Sequence, residues 1–209
     1  RQKSQDVRKA YDDVRKKRED LTKKGETNNL PVLTRFEGPI TVRMTGDVPN
    51  TATNDLARVI GRFRAEAGLN VSAVPSGDAS ITIEFVPRAA LRRVVPLATC
   101  FVVPNVASFQ EYRALRGTPA VDWANLTTRN RAAIFVPADT NPQEVRDCLH
   151  EELAQAMGPL NDLFRLQDSV FNDDNFNTVL TGFDMLILRA HYSLELQSGM
   201  NEAQVAARL

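Results

Sequence analysis

The sequence predicts a single α+β domain in which one mixed β-sheet packs on helices. Three observations carry this reading. Short alternating or wholly apolar runs suited to strands recur at residues 40–44, 69–74, 81–85, 99–104 and 132–137, and segments of helical periodicity lie between and after them. The third is size: 209 residues with 43% hydrophobic content suffice for one good-sized core.

In chain order, residues 4–24 read as a highly charged helix with a thin stripe of Val7, Tyr11, Val14 and Leu21 at nearly heptad spacing. It is either a solvated helix leaning on the body or an arm that mediates association. Residues 25–31 are its linker, so residues 1–30 divide as a basic arm from a domain spanning 31–209. The arm holds ten Lys/Arg and five Asp/Glu within residues 1–25, which leaves 16 basic and 21 acidic residues after it.

The body opens with a half-buried strand in which Ile40, Val42 and Met44 alternate with Thr41 and Arg43. A helix follows with Leu56, Val59, Ile60 and Phe63 on one face, ended at Gly68. Residues 69–74 and 81–85 flank a turn at Pro75 to Asp78 and read as a hairpin. A short helix is expected within 88–95, then an apolar strand within 99–104. Ser108 with Glu111 three residues on is a capping box for a helix to Gly117, and Ala132–Pro137 is a buried strand. Near the end, Thr181 and Asp184 form another capping box, opening a helix with Phe183, Leu186, Ile187 and Ala190 on its inner side. Residues 198–209 form a short terminal helix.

The central stretch is Asn141 to Asp162. Asn141 serves as N-cap, Pro142 fits the first helical position, Glu144 completes the cap, and Gly158 followed by Pro159 ends the helix. Val145, Cys148, Leu149, Leu153 and Ala156 share one arc. Glu152 falls inside that arc, with Glu151 and Gln155 along its flank. A core-facing carboxylate must be paired, hydrogen-bonded or protonated, because leaving it bare costs several kcal/mol, roughly the whole margin of a domain's stability. Glu152 is therefore either a structural acceptor or a chemical group.

The spacing Glu151-Glu152-x-x-Gln155-x-x-Gly158-x-x-Asn161-Asp162 resembles the zinc-binding helix of metzincin-type metallopeptidases, H-E-x-x-H-x-x-G-x-x-H/D. Every metal-ligand histidine is replaced. On that resemblance Glu152 stands at the general-base position and Gly158 at the helix-ending glycine, while Glu151, Gln155 and Asn161 or Asp162 stand at the ligand positions. Ser169-Val170-Phe171 falls where the Met-turn would come, with Phe171 in the methionine place. More closely, the run CLHEELAQAMGPLND…DSVFNDD…LTGFDMLILRAHY is similar to the bacterial DUF2927 family of unknown function, which carries an E-E-x-x-Q helix. The resemblance implies a zincin-like fold.

Zinc prefers imidazole and thiolate donors, so no metal or other cofactor is expected. A divalent cation, if held, would sit among Glu151, Gln155 and Asn161 or Asp162, and a harder ion than zinc suits such oxygen donors. The expected function is therefore a non-catalytic, pseudo-peptidase domain that binds a protein or peptide through the former active-site cleft. The alternative is a metal-dependent peptidase with Glu152 as general base. Metal-free acid/base chemistry at Glu152 would need a partner that the sequence does not identify.

Cys100 and Cys148 allow one disulfide or two buried thiols. Proteins resembling this family look exported, which favours the pairing and an extracytoplasmic location. The chain begins at Arg1 without a signal-peptide pattern, as a trimmed or processed product would, and no run reaches the ~18 apolar residues of a membrane span. Zero formal net charge and the lack of a basic-aromatic patch argue against nucleic acid. There is no P-loop, G-x-G-x-x-G or G-x-S-x-G. His150 lacks an i+4 partner ligand and reads as a surface histidine, His191 as a hydrogen-bonded structural one, and residues 172–175 as an acidic turn.

Overall fold

The structure, a computed structural model, describes residues 30–160, 166–172 and 177–208. The N-terminal arm, Asn161, Asp162 and most of the acidic turn lie outside the described residues.

Five strands form one mixed sheet: β1 (Ile40–Gly46), β2 (Val71–Ala73), β3 (Ile81–Val86), β4 (Phe101–Pro104) and β5 (Ala132–Pro137). Their spatial order is β2-β1-β3-β5-β4, parallel throughout except β4, which runs antiparallel to β5 along one edge. The expected hairpin does not exist. β1 lies between β2 and β3 and pairs in parallel with both, because Ile81, Ile83 and Phe85, all buried, belong in the middle of the sheet rather than at its rim.

Helix α1 (Ala52–Glu66) buries the predicted Leu56, Val59, Ile60 and Phe63. It shares one face of the sheet with α4 (Pro142–Met157), and both contribute to the main core with Ile40, Val42, Ile81, Ile83 and Ile134. On the other face, α2 (Arg88–Arg92) and α3 (Phe109–Leu115) cover a smaller aromatic cluster in which Phe101, Phe109 and Tyr112 surround Phe135. Ser108 caps α3 as expected, although Glu111 reaches back to the Ala107 amide, one residue further. Two 3₁₀ turns, Pro119–Val121 and Trp123–Asn125, follow α3 where no element was expected.

Helices α5 (Gly182–His191) and α6 (Glu202–Ala206) close the described chain. The inner side of α5 differs from the sequence expectation: Asp184, Met185 and Leu188 are buried, whereas Phe183 and Leu186 are 44% and 56% exposed. The Thr181 capping box sets this rotation. Asp184 accepts hydrogen bonds from the Thr181 amide and the Ser169 hydroxyl, which pulls its side of the helix inward.

Candidate functional site

Helix α4 starts as its sequence dictates, with the Asn141 side chain accepting from the Glu144 amide. The Glu144 carboxylate accepts from the Thr140 hydroxyl and from Arg88 at 2.7 Å, which ties the start of α4 to α2. Cys148 bonds to Cys100, just ahead of β4, so the helix and the edge strand are covalently joined. Glu152 is 3% exposed, as its place on the apolar arc requires, and both it and Glu151 are partnered. Gln155 donates to Glu151 across one helical turn at 3.3 Å. The structure thus keeps Glu151 and Gln155 together on one flank of α4. Among the described residues no three His, Cys, Asp or Glu side chains converge as a metal site would require.

The end of α4 is held by a group that sequence reasoning missed. The Arg129 guanidinium is buried and donates to the carbonyls of Gln155, Ala156 and Gly158 at 2.7–2.8 Å, and its Nε to the Thr34 hydroxyl at 3.1 Å. Tyr192 Oη donates to the Met157 carbonyl at 2.7 Å. Four consecutive C-terminal carbonyls are therefore satisfied by side chains, and a cation sits at the negative end of the helix dipole. Burial lowers the Arg129 guanidinium to about 10, still well above neutrality, and raises the Tyr192 phenol to about 12. Trp123 stacks on Arg129 with 4.4 Å between the guanidinium and the ring centroid. The one clue in the sequence was that such an apolar-flanked helix end must find donors somewhere.

A second arginine repeats the arrangement. Arg35 donates to the His191 and Ser193 carbonyls at the end of α5 and to Glu37, and the Arg129 amide donates to the Arg35 carbonyl at 3.1 Å. Residues 33–37 also bond to the chain's last turns: the Leu33 amide donates to the Met200 carbonyl, the Gly199 amide to the Leu33 carbonyl, and the Ser198 amide to Glu37.

His150 is buried and His191 half-buried. His191 meets its expectation, with Nε2 donating to the Thr34 carbonyl at 3.2 Å. His150 does not: it is 6% exposed, and its Nδ1 accepts from the Leu180 amide at 3.3 Å, because its side of α4 faces the segment leading into α5 rather than solvent. Burial, reinforced by nearby arginines, lowers each imidazole to about 4.

Gly158 ends α4 as predicted, and the reason is contact: a Cβ there would overlap the His191 imidazole. Gly158→Ala should therefore cost about 1–3 kcal/mol, the usual penalty for overfilling a packed site. A urea midpoint unchanged from wild type would show that His191 moves aside freely. Ser169 is fully buried, with its hydroxyl 2.6 Å from Asp184 while it accepts from the Phe171 amide. Ser169 and Phe171 thus form a turn fastened to the start of α5, and Phe171, like Gly158, borders a cleft of about 530 Å³.

A separate cleft of about 560 Å³ runs along β4. Its far wall is the Arg116–Trp123 segment. The Asn105 amide bonds to the Arg131 carbonyl, and in the antiparallel register this alternation points Phe101 and Val103 toward β5. The N–H and C=O of Val102 and the C=O of Pro104 therefore point into the cleft.

These features define a class: a mixed-sheet domain organised around a helix with internal carboxylates, stapled to an antiparallel edge strand. The model of the family described as "Protein of unknown function (DUF2927)" matches residues 5–209, and the chain belongs to that family. No curated protein matches it.

Proposed function

We propose that this is a zincin-like pseudo-peptidase domain, acting outside the cytoplasm, that binds an extended segment of a protein partner along the outer edge of β4. The observation that carries the reading is this edge. Its free backbone groups line a cleft, and main-chain pairing with an added strand needs no metal. Two further features support it. The Cys100–Cys148 bond fixes the edge relative to α4, and Trp123, in the cleft wall, rests on the arginine that holds the helix end. The disulfide also supports an oxidising compartment. Among the described residues no helix is long and apolar enough to cross a membrane.

The replacement of every histidine ligand favours binding over hydrolysis, and the burial of Glu152 favours a structural acceptor over a general base. Glu151 and Gln155 then brace the site, offering acceptors to basic or amide-bearing groups.

The test is a decapeptide library panned on the oxidised protein, with affinities of the selected peptides compared between wild type and Val102→Pro. Proline is tolerated where an edge N–H faces outward, so the ladder to β5 survives while the outward donor is lost. A loss of roughly tenfold or more, the worth of about 1.4 kcal/mol, is expected, together with weaker binding after reduction of the disulfide. Equal affinity in Val102→Pro would sink the edge-strand reading. One equivalent of a divalent metal in chelator-free protein, lost in Gln155→Ala, would put the metal-dependent peptidase in its place.

A further inference from the structure

The 530 Å³ cleft shares no lining residue with the β4 cleft, and its chemistry is different. It is walled by residues 30–34, the end of α4, the exposed side of α5 and α6. Thr34, His191 and Glu202 are its only polar side chains among the described residues. His191 is neutral at pH 7, so Glu202 alone gives the lining a charge, and it is negative. Phe183 and Ile187 line it, which explains why α5 turns aromatic surface outward. An apolar cleft of this kind can seat an apolar helix stripe.

We propose that its occupant is this chain's own N-terminal arm, residues 4–24, laid into the cleft by its Val7, Tyr11, Val14 and Leu21 stripe. Three observations select the arm over other partners. Leu30, the first described residue, is itself part of the cleft wall, so the arm is tethered at the site, and tethering of this kind gives effective concentrations of the order of mM. Residues 25–29 reach about 17 Å when extended, enough to turn the chain back. Charge agrees as well. Residues 1–25 carry ten basic and five acidic side chains, whereas the rest carries 16 basic and 21 acidic, so arm and body are of opposite sign. The contact is an intramolecular cover on a hydrophobic groove, separate from the peptide edge.

The sequence supplies an unusually clean assay. All six lysines, Lys3, Lys9, Lys16, Lys17, Lys23 and Lys24, lie in the arm, and every basic side chain of the body is arginine. Zero-length carbodiimide coupling of lysine to carboxylate therefore reports only contacts made by the arm. The full chain, prepared as an equal mixture of ¹⁴N and ¹⁵N protein, is coupled and its cross-linked peptides are read by mass spectrometry. Cross-links from arm lysines to Glu202 within one isotopic species are expected. Val14→Glu, a change in the arm that leaves the body's core untouched, should reduce them roughly tenfold, the worth of one buried valine. Mixed-isotope cross-links would overturn the proposal in favour of a second copy as occupant. Absence of any arm-to-Glu202 cross-link, or yields unaffected by Val14→Glu, would overturn it outright.

Discussion

Replacing Arg129 with methionine is expected to lower the unfolding free energy by about 4–5 kcal/mol, the upper part of the range for removing one member of a buried polar cluster. The substitution keeps an apolar stem of similar length but strips donors from the carbonyls of Gln155, Ala156 and Gly158 and from the Thr34 hydroxyl. Each orphaned acceptor costs about 1–3 kcal/mol when water does not reach it. Arg129→Lys should fall between the two proteins, because one ammonium retains the charge at the helix end but has no planar fork to span the same set. Urea denaturation measures both, with the midpoint falling and the slope unchanged. A loss below about 1 kcal/mol for Arg129→Met would mean that water takes over the carbonyls, and that the guanidinium is not what holds the helix end.

Acid should be the next most damaging perturbation, acting through the two histidines. Burial comes first among the causes that lower His191, followed by the like charges of Arg129 and Arg35, against which the Thr34 bond works only in part. For His150 the order is burial, then Arg62 and Arg146. Both imidazoles stand at about 4 in the folded protein, against an ordinary value of 6.5. Above pH 6.5 neither state takes up a proton and the full stability is present. Between 6.5 and 4 the unfolded chain binds protons that the folded one does not, so stability falls as pH falls, by about 1.4 kcal/mol per unit for each ring and about 3 kcal/mol for each in all. Below pH 4 the histidines add no further loss. Because the chain has only two histidines, NMR resolves each titration separately. An imidazole that titrates near 6.5 in the folded protein would contradict this account.

Much of this architecture was legible in local sequence, and the misses share one physical cause. Asn141, Ser108 and Thr181 cap their helices where the sequence places them, because a cap is an interaction across three residues. The burial of Glu152 followed from its angle on α4. The sheet order did not follow from anything local: β2 and β3 are neighbours in sequence with a good turn between them, yet β1 separates them in space. Likewise, neither Arg129 nor Arg35 stands near a pattern that marks it. Each is recognisable only by the carbonyls it meets, 26 residues away in the nearest case for Arg129 and 156 for Arg35. The inner face of α5 departs from local pattern for a related reason. Apolar content alone favoured Phe183 and Leu186, and the buried hydrogen bond from Ser169 to Asp184 overrode it.

The pairing of residues 33–37 with residues 198–200 bears on how the domain is made. A ribosome delivers the chain from the N-terminus at about 5–20 residues per second, and sheet and helices are available to collapse well before its last turns appear. The Arg35 amide, however, bonds to the Ser198 side chain, and its guanidinium to the His191 and Ser193 carbonyls. Until those residues have left the exit tunnel, the segment that also anchors Arg129 through the Arg35 carbonyl has no seat. Seating of residues 33–37 therefore waits for residues 191–198, and a chain interrupted before residue 191 keeps an unfastened core.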